Sequence, residues 1–121
     1  MHTVFLGDVL IVEDNFIIAM DVEALVTELG ATQVHLTSNC EDALAVIETA
    51  EVSAAILDFN VEGGTSERVA DALSEKGITF VFATGHTDIS MLPERYQAYP
   101  MLKKPYSRDD IAALFQANDP S

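Results

Sequence analysis

The chain is short of several things, and each shortage excludes something. Among its 121 residues there is one cysteine, Cys40, so no internal disulfide can form. Lys and Arg together number 6 against 20 Asp and Glu, a formal net charge of -14. A surface of that sign repels nucleic-acid phosphates and anionic lipid, which excludes direct DNA binding and membrane-surface attachment as expected roles. No apolar run approaches the roughly 18 residues that a membrane helix requires. The start, Met1-His2-Thr3-Val4-Phe5-Leu6, lacks the basic and long apolar regions of a secretory leader. A cytoplasmic location is the expectation. Internal repeats, low-complexity stretches and linkers are also missing, so one domain over residues 1–121 is expected, with no output domain attached.

What is present is 49% hydrophobic residues arranged in alternating strand-like and helix-like segments. Strands are expected near Asp8–Val12, Val34–Leu36, Val52–Leu57, Ile78–Ala83 and Met101-Leu102. The third is nearly continuously apolar, the pattern of a strand covered on both faces. Asn15 reads as the cap of a first helix with Ile18, Val22, Leu25 and Leu29 inward and Gly30 as its stop. Ser38 to Glu41 has the form of a capping box, ahead of Ala43, Leu44 and Ile47. Asn60 to Thr65 reads as a loop broken by Gly63-Gly64. A third helix is expected from about Ser66 to Lys76, burying Val69, Ala72 and Leu73. Between His86 and Tyr99 the pattern supports at most a short helix. Ser107 caps a last helix with Ile111, Ala112, Leu114 and Phe115 inward. The alternation implies a parallel sheet, doubly wound, with right-handed crossovers.

The strand ends carry the chemistry. Val9–Val12 runs into Glu13-Asp14, Ala54–Leu57 into Asp58, Phe80–Ala83 into Thr84, and Pro100–Leu102 into Lys103-Lys104-Pro105. In a parallel α/β sheet ligands bind at the carboxyl ends of strands, so three acids, a hydroxyl and an ammonium are expected to converge. A hard dication such as Mg²⁺ takes one or two carboxylates plus a phosphate oxygen, and Glu13, Asp14 and Asp58 can supply the carboxylates. Asp58 can also act as a nucleophile, since carboxylates form aspartyl-phosphate intermediates. Lys104 and Thr84 then suit the phosphoryl oxygens, phosphoryl transfer being mainly positioning and charge neutralisation. Taken singly, Glu13 and Asp14 also suit a helix N-terminus, Thr84 a strand end, and Lys104 an ordinary surface.

The ordered set Leu10–Asn15, Ile56–Asn60, Thr84 and Lys104–Tyr106 resembles the response-regulator receiver domains of two-component signalling, over essentially the whole chain. The resemblance implies a flavodoxin-like fold with five parallel strands in the order 2-1-3-4-5; the short or degenerate fourth helix read between His86 and Tyr99 departs from the family's pattern. It implies Asp58 as phosphoacceptor, and Mg²⁺ held by Glu13, Asp14, Asp58 and the main-chain carbonyl of Asn60. Thr84 and Lys104 would bind the phosphoryl group. It further implies a sensor histidine kinase or phosphotransferase as donor and a downstream protein as receiver of the signal. No enzymatic activity is expected beyond self-phosphorylation and slow self-dephosphorylation. Phe82–Gly85 with His86, and the glycines at 63 and 64, resemble the FATGUY subgroup, often stand-alone. The aromatic usual three residues before the lysine is Met101 here, leaving Phe82 or Tyr106 to replace it. His35 reads as a plain strand residue; His86 stays open between a loop residue and control of water access. An aspartyl-phosphate phosphatase and a phosphorylation-independent pseudo-receiver are the competing readings.

Overall fold

The structure is a computed structural model that describes residues 5, 7–61, 64–84, 101–103 and 106–117. Its elements are β1 (Asp8–Val12), α1 (Phe16–Glu28), β2 (Val34–Thr37), α2 (Cys40–Thr49), β3 (Val52–Asp58), β4 (Asn60–Val61), β5 (Gly64–Thr65), α3 (Glu67–Glu75), β6 (Thr79–Thr84), β7 (Met101–Lys103) and α4 (Arg108–Ala117). The main sheet has five strands in the order β2-β1-β3-β6-β7, every neighbouring pair parallel. This is the expected order once β4 and β5 are set apart; those two form a small antiparallel hairpin where the sequence suggested a plain loop. Pairs of residues that short leave no periodic signal. The expected helix within 86–99 lies outside the described residues.

Alternation along the strands builds two apolar layers, because successive side chains point to opposite faces. Leu10, Val12, Ala55, Leu57, Phe80 and Phe82 face α2 and α3, joined by Ala43, Ile47, Val69, Ala70 and Leu73. Val9, Ile11, Ala54, Ile56, Val81, Ala83 and Leu102 face α1 and α4, joined by Val22, Val26, Ile111 and Phe115. The central strand β3 is therefore buried on both sides, with Ala55 and Leu57 fully inaccessible. Each large side chain so buried contributes roughly 1.5–3 kcal/mol.

The helix starts are fixed by side-chain caps. Asn15 Oδ1 accepts from the amides of Ile17 and Ile18 at 3.1 and 3.2 Å. For α2 the cap is Asn39 rather than Ser38: its Oδ1 accepts from the Asp42 amide at 2.9 Å, and its Nδ2 donates to Asp42 Oδ2 at 3.1 Å. Asn39 takes this place because its backbone is extended there and its amide offers both an acceptor and a donor. At α4 a reciprocal box forms, the Ser107 amide donating to Asp110 Oδ2 at 2.9 Å and the Asp110 amide to Ser107 Oγ at 3.2 Å. Gly30 and Gly77 close α1 and α3 with φ of 105° and 71°, the left-handed region that favours glycine.

Two helices bury only part of the expected set: Val22 and Leu29 on α1 and Val69 and Leu73 on α3 are buried as expected, and other residues join them. On α3 the fully buried alanine is Ala70, with Ala72 only partly covered. On α1 the buried residues are Ala19, Val22 and Val26, followed by Leu29 at its cap; Ile18 and Leu25 pack at the edge. That helix leaves Phe16, Ile17 and Met20 exposed at 61%, 75% and 52%. His35, read as a plain strand residue, places Nε2 3.0 Å from Asp8 Oδ2 and so ties β2 to β1. No helix among the described residues is long and apolar enough to cross a membrane.

Candidate functional site

Glu13, Asp14 and Asp58 come together as the sequence predicts. Each offers a carboxylate oxygen, and these lie within 4.8 Å of one another. The backbone makes this possible. β1 ends at Val12, so Glu13 and Asp14 lie past the strand and escape its alternation. The Glu13 amide donates to the Thr37 carbonyl at 2.9 Å, and the Asn15 amide reaches Glu13 Oε2 at 3.4 Å. Thr37 is itself held by its Oγ1, which donates to the Ile11 carbonyl at 3.0 Å. Glu13 is 5% exposed, whereas Asp14 is open to solvent and Asp58 lies between.

Asp58 closes β3, the strand beside β1, where it pairs with Ala83 of β6. Phe59 directly after it is buried against Phe82, ring centroids 5.9 Å apart in an edge-on arrangement. The Phe59 carbonyl accepts from the Ser66 amide at 2.9 Å. These contacts pin the chain on the far side of Asp58 and lead the Asn60 main chain into the β4–β5 hairpin, opposite Thr65. The Thr84 main chain ends β6, in register with Lys103 of β7. Strand order thus sets the ends of β1, β3, β6 and β7 side by side. Lys104 and His86 lie outside the described residues.

Tyr106 completes the surroundings. Its phenol is held well above the usual tyrosine range, first by burial and then by the negative charges of Glu13 and Asp58. Its ring packs against the layer that holds Ile11, Leu102, Ile111 and Phe115. The sequence marked this residue as the end of the Lys104–Tyr106 match and as a stand-in for an aromatic on β7; that the charges of Glu13 and Asp58 act on it had no sequence signal. Met101, at the position that would hold that aromatic, instead packs against the opposite layer.

The donor set is all oxygen and anionic, clustered at one edge of the sheet, and that suits a hard divalent cation and no soft one. Three clustered carboxylates beside a strand end can hold such an ion and present one of their number to an electrophilic phosphorus.

Comparison with known proteins places these features. The family model described as the response regulator receiver domain matches residues 9–116. A phyllosphere-induced regulator, PhyR, of Methylorubrum extorquens is 27% identical over 110 residues, 88% of this chain and 41% of that protein. The chain thus spans well under half the length of that relative. The solution structure of SdrG from Sphingomonas melonis Fr1 superposes with a TM-score of 0.82 at 41% identity, covering 93% of this chain and 95% of that one. The BeF3-activated conformation of SdrG from Pseudomonas melonis Fr1 gives a TM-score of 0.77 at 40% identity, covering 91% of this chain and 93% of that one.

Proposed function

The chain belongs to the response regulator receiver domain family, and on that premise we propose that it is a phosphoacceptor signalling module modified on Asp58. The observation that carries this reading is the gathering of Glu13, Asp14 and Asp58 at neighbouring strand ends. An Asp58 carboxylate oxygen attacks the phosphorus of a phosphohistidine on a sensor kinase or phosphotransferase. The P–O bond forms as the P–N bond breaks, and the imidazole leaves with a proton. Glu13, Asp14, Asp58 and the Asn60 carbonyl would hold Mg²⁺, which when bound neutralises charge on the phosphoryl oxygens. Thr84 donates a hydrogen bond to one of those oxygens, and Lys104 neutralises another.

The donor protein seats beside the acids. Phe16, Ile17 and Met20 expose apolar surface directly after the Asn15 cap, on the helix that the acidic pair leads into. The signal leaves by protein contacts or onward phosphotransfer, with the acidic surface excluding nucleic acid as the target. The likeness to SdrG, whose beryllofluoride-activated form has been solved, supports a phosphoryl-driven change of the same kind.

Incubation with acetyl phosphate and Mg²⁺ followed by intact mass measurement is the test. Wild type gains one phosphoryl mass, and Asp58→Asn gains none; equal labelling of both refutes the assignment. A phosphatase would turn over a generic phosphate ester continuously, and this protein is expected not to.

A further inference from the structure

Among the described residues three polar or charged side chains are buried: Glu13, Thr37 and Ser66. Two of them meet where β1 and β2 end. Val12 pairs with Thr37 as the last step of the β1–β2 ladder. Thr37 then grips both chain neighbours of Val12. Its carbonyl accepts from the Glu13 amide at 2.9 Å, and its Oγ1 donates to the Ile11 carbonyl at 3.0 Å. Among the described strands β2 is an edge strand with β1 as its one neighbour. The end of such a strand opens at low free-energy cost, and a side-chain bond at its last pair opposes that opening. Burying a hydroxyl is costly unless it is bonded, and valine would fill the same space in a strand without that cost. The buried hydroxyl of Thr37 therefore calls for a reason beyond filling the layer.

We propose that Thr37 is a positioning residue for the cation site. Its hydroxyl fixes the end of β2, and its carbonyl fixes the main chain at Glu13, from which that carboxylate reaches a hard dication shared with Asp14 and Asp58. The bond between the Glu13 amide and the Thr37 carbonyl carries the chain from strand into turn. Two residues on, the Asn15 amide reaches Glu13 Oε2 at 3.4 Å while the Asn15 side chain caps α1. The acid is thus held from β2 on one side and from α1 on the other. Its carboxylate lies within 4.8 Å of those of Asp14 and Asp58. Mg²⁺ demands near-ideal octahedral geometry, so a small drift of one ligand residue costs affinity. Groups that orient a ligand from behind hold a measurable share of the binding for that reason. This inference rests on the cation site of the phosphoacceptor reading, and not on phosphoryl transfer itself.

Calorimetric titration with MgCl₂ tests it on wild type, Thr37→Val and Thr37→Ser, each below its melting temperature. Valine keeps the shape and removes the hydroxyl; serine keeps the hydroxyl. Thr37→Val should bind Mg²⁺ about threefold to tenfold more weakly, the scale of one intramolecular hydrogen bond, and Thr37→Ser should stay within about twofold of wild type. Amide exchange at Glu13 should quicken in Thr37→Val and not in Thr37→Ser, with the amides of Ile56 and Val81 unchanged in both. Equal Mg²⁺ affinity in wild type and Thr37→Val overturns the inference, even where the variant melts lower, since the hydroxyl would then serve the fold alone. Equal weakening in both variants also overturns it, because the hydroxyl would not be the operative group. Should Thr37→Val fail to fold, nuclear magnetic resonance on wild type decides. The Glu13 amide and the Thr37 carbonyl carbon should follow one Mg²⁺ titration curve, and a Glu13 amide that moves while that carbon stays put overturns the inference. Asp58 labelling by acetyl phosphate is read on the same wild-type sample. Mg²⁺ binding and labelling in wild type with an unweakened Thr37→Val defeat this inference only. A wild type that binds no Mg²⁺ defeats the cation site, and this inference with it.

Discussion

Removing one carboxylate from the Glu13–Asp58 pair should stabilise the protein in chelator. Oxygens of the two groups lie within 4.8 Å of each other, one residue nearly buried and the other half-buried. Two unit charges at that distance repel by about 3.5 kcal/mol at an effective dielectric of about 20. Asp58 is partly exposed, and salt and neighbouring cations screen it, so about 1 kcal/mol is a realistic remainder. For a domain of this size that is worth about 3–6 °C in melting temperature. Thermal unfolding followed by circular dichroism, in EDTA and in MgCl₂, reads it directly. Asp58→Asn should melt higher than wild type in EDTA. In Mg²⁺ the order should narrow or reverse: a ligand at ten times its dissociation constant stabilises the folded state by about 1.4 kcal/mol, and the variant has lost one ligand oxygen. A variant that melts at or below wild type in EDTA would refute the repulsion argument. A difference unchanged by Mg²⁺ would refute the metal site.

Other expectations follow from single residues. Ser66 is fully buried, and its Oγ has no hydrogen-bond partner among the described residues. Ser66→Ala should therefore be neutral or stabilising by about 1 kcal/mol in urea unfolding, and a loss of that size would show that the hydroxyl is satisfied. Leu57→Ala, at a fully inaccessible site between β1 and β6, should cost about 2–5 kcal/mol in the same assay; a smaller cost would mean the layer collapses around the cavity. Burial pushes the Cys40 thiol up, with Arg68 opposing weakly, and the thiol donates to the Thr65 carbonyl at 3.0 Å. The folded state thus holds its proton longer than the unfolded chain, a contribution to stability present at neutral pH and lost as pH rises past the free-thiol value. Alkylation at pH 8 should accordingly be slower than for the urea-unfolded protein, and equal rates would contradict the burial.

The strands and the acid site were legible because their signals are local and categorical. A buried parallel strand reads as a continuous apolar run, and an acid ending such a run stands out, as Asp58 does after Ala54–Leu57. Strand order then brought Glu13, Asp14 and Asp58 together without further information. The helix faces were harder. From Phe16 to Val26 the first helix carries apolar residues around most of its circumference, so spacing alone found Val22 and Leu29 but took Ile18 and Leu25 where Ala19 and Val26 are buried. The choice is made by the sheet beneath it. Ser38 and Asn39 are both good caps, and only the backbone entering α2 decides between them. The Tyr106 phenol had no local signal, because its partners are distant in sequence.

Glu13 raises a question of cost that the fold answers. A carboxylate 5% exposed is expensive where it has no compensation. Here the Asn15 amide reaches its Oε2 at 3.4 Å, and further support comes from the strands. The strands feeding the site bury Leu10, Ile11, Val12, Ile56 and Leu57 almost completely, several times the roughly 3.5 kcal/mol of repulsion between one carboxylate pair. Those strands are locked by their neighbours on both sides, so the repulsion cannot be relieved by moving β1 away from β3. A cation bound at the cluster would lower that repulsion without moving either strand. A rigid sheet under a strained cluster therefore directs the energy of occupancy outward, into the loops and helix starts at the carboxyl edge.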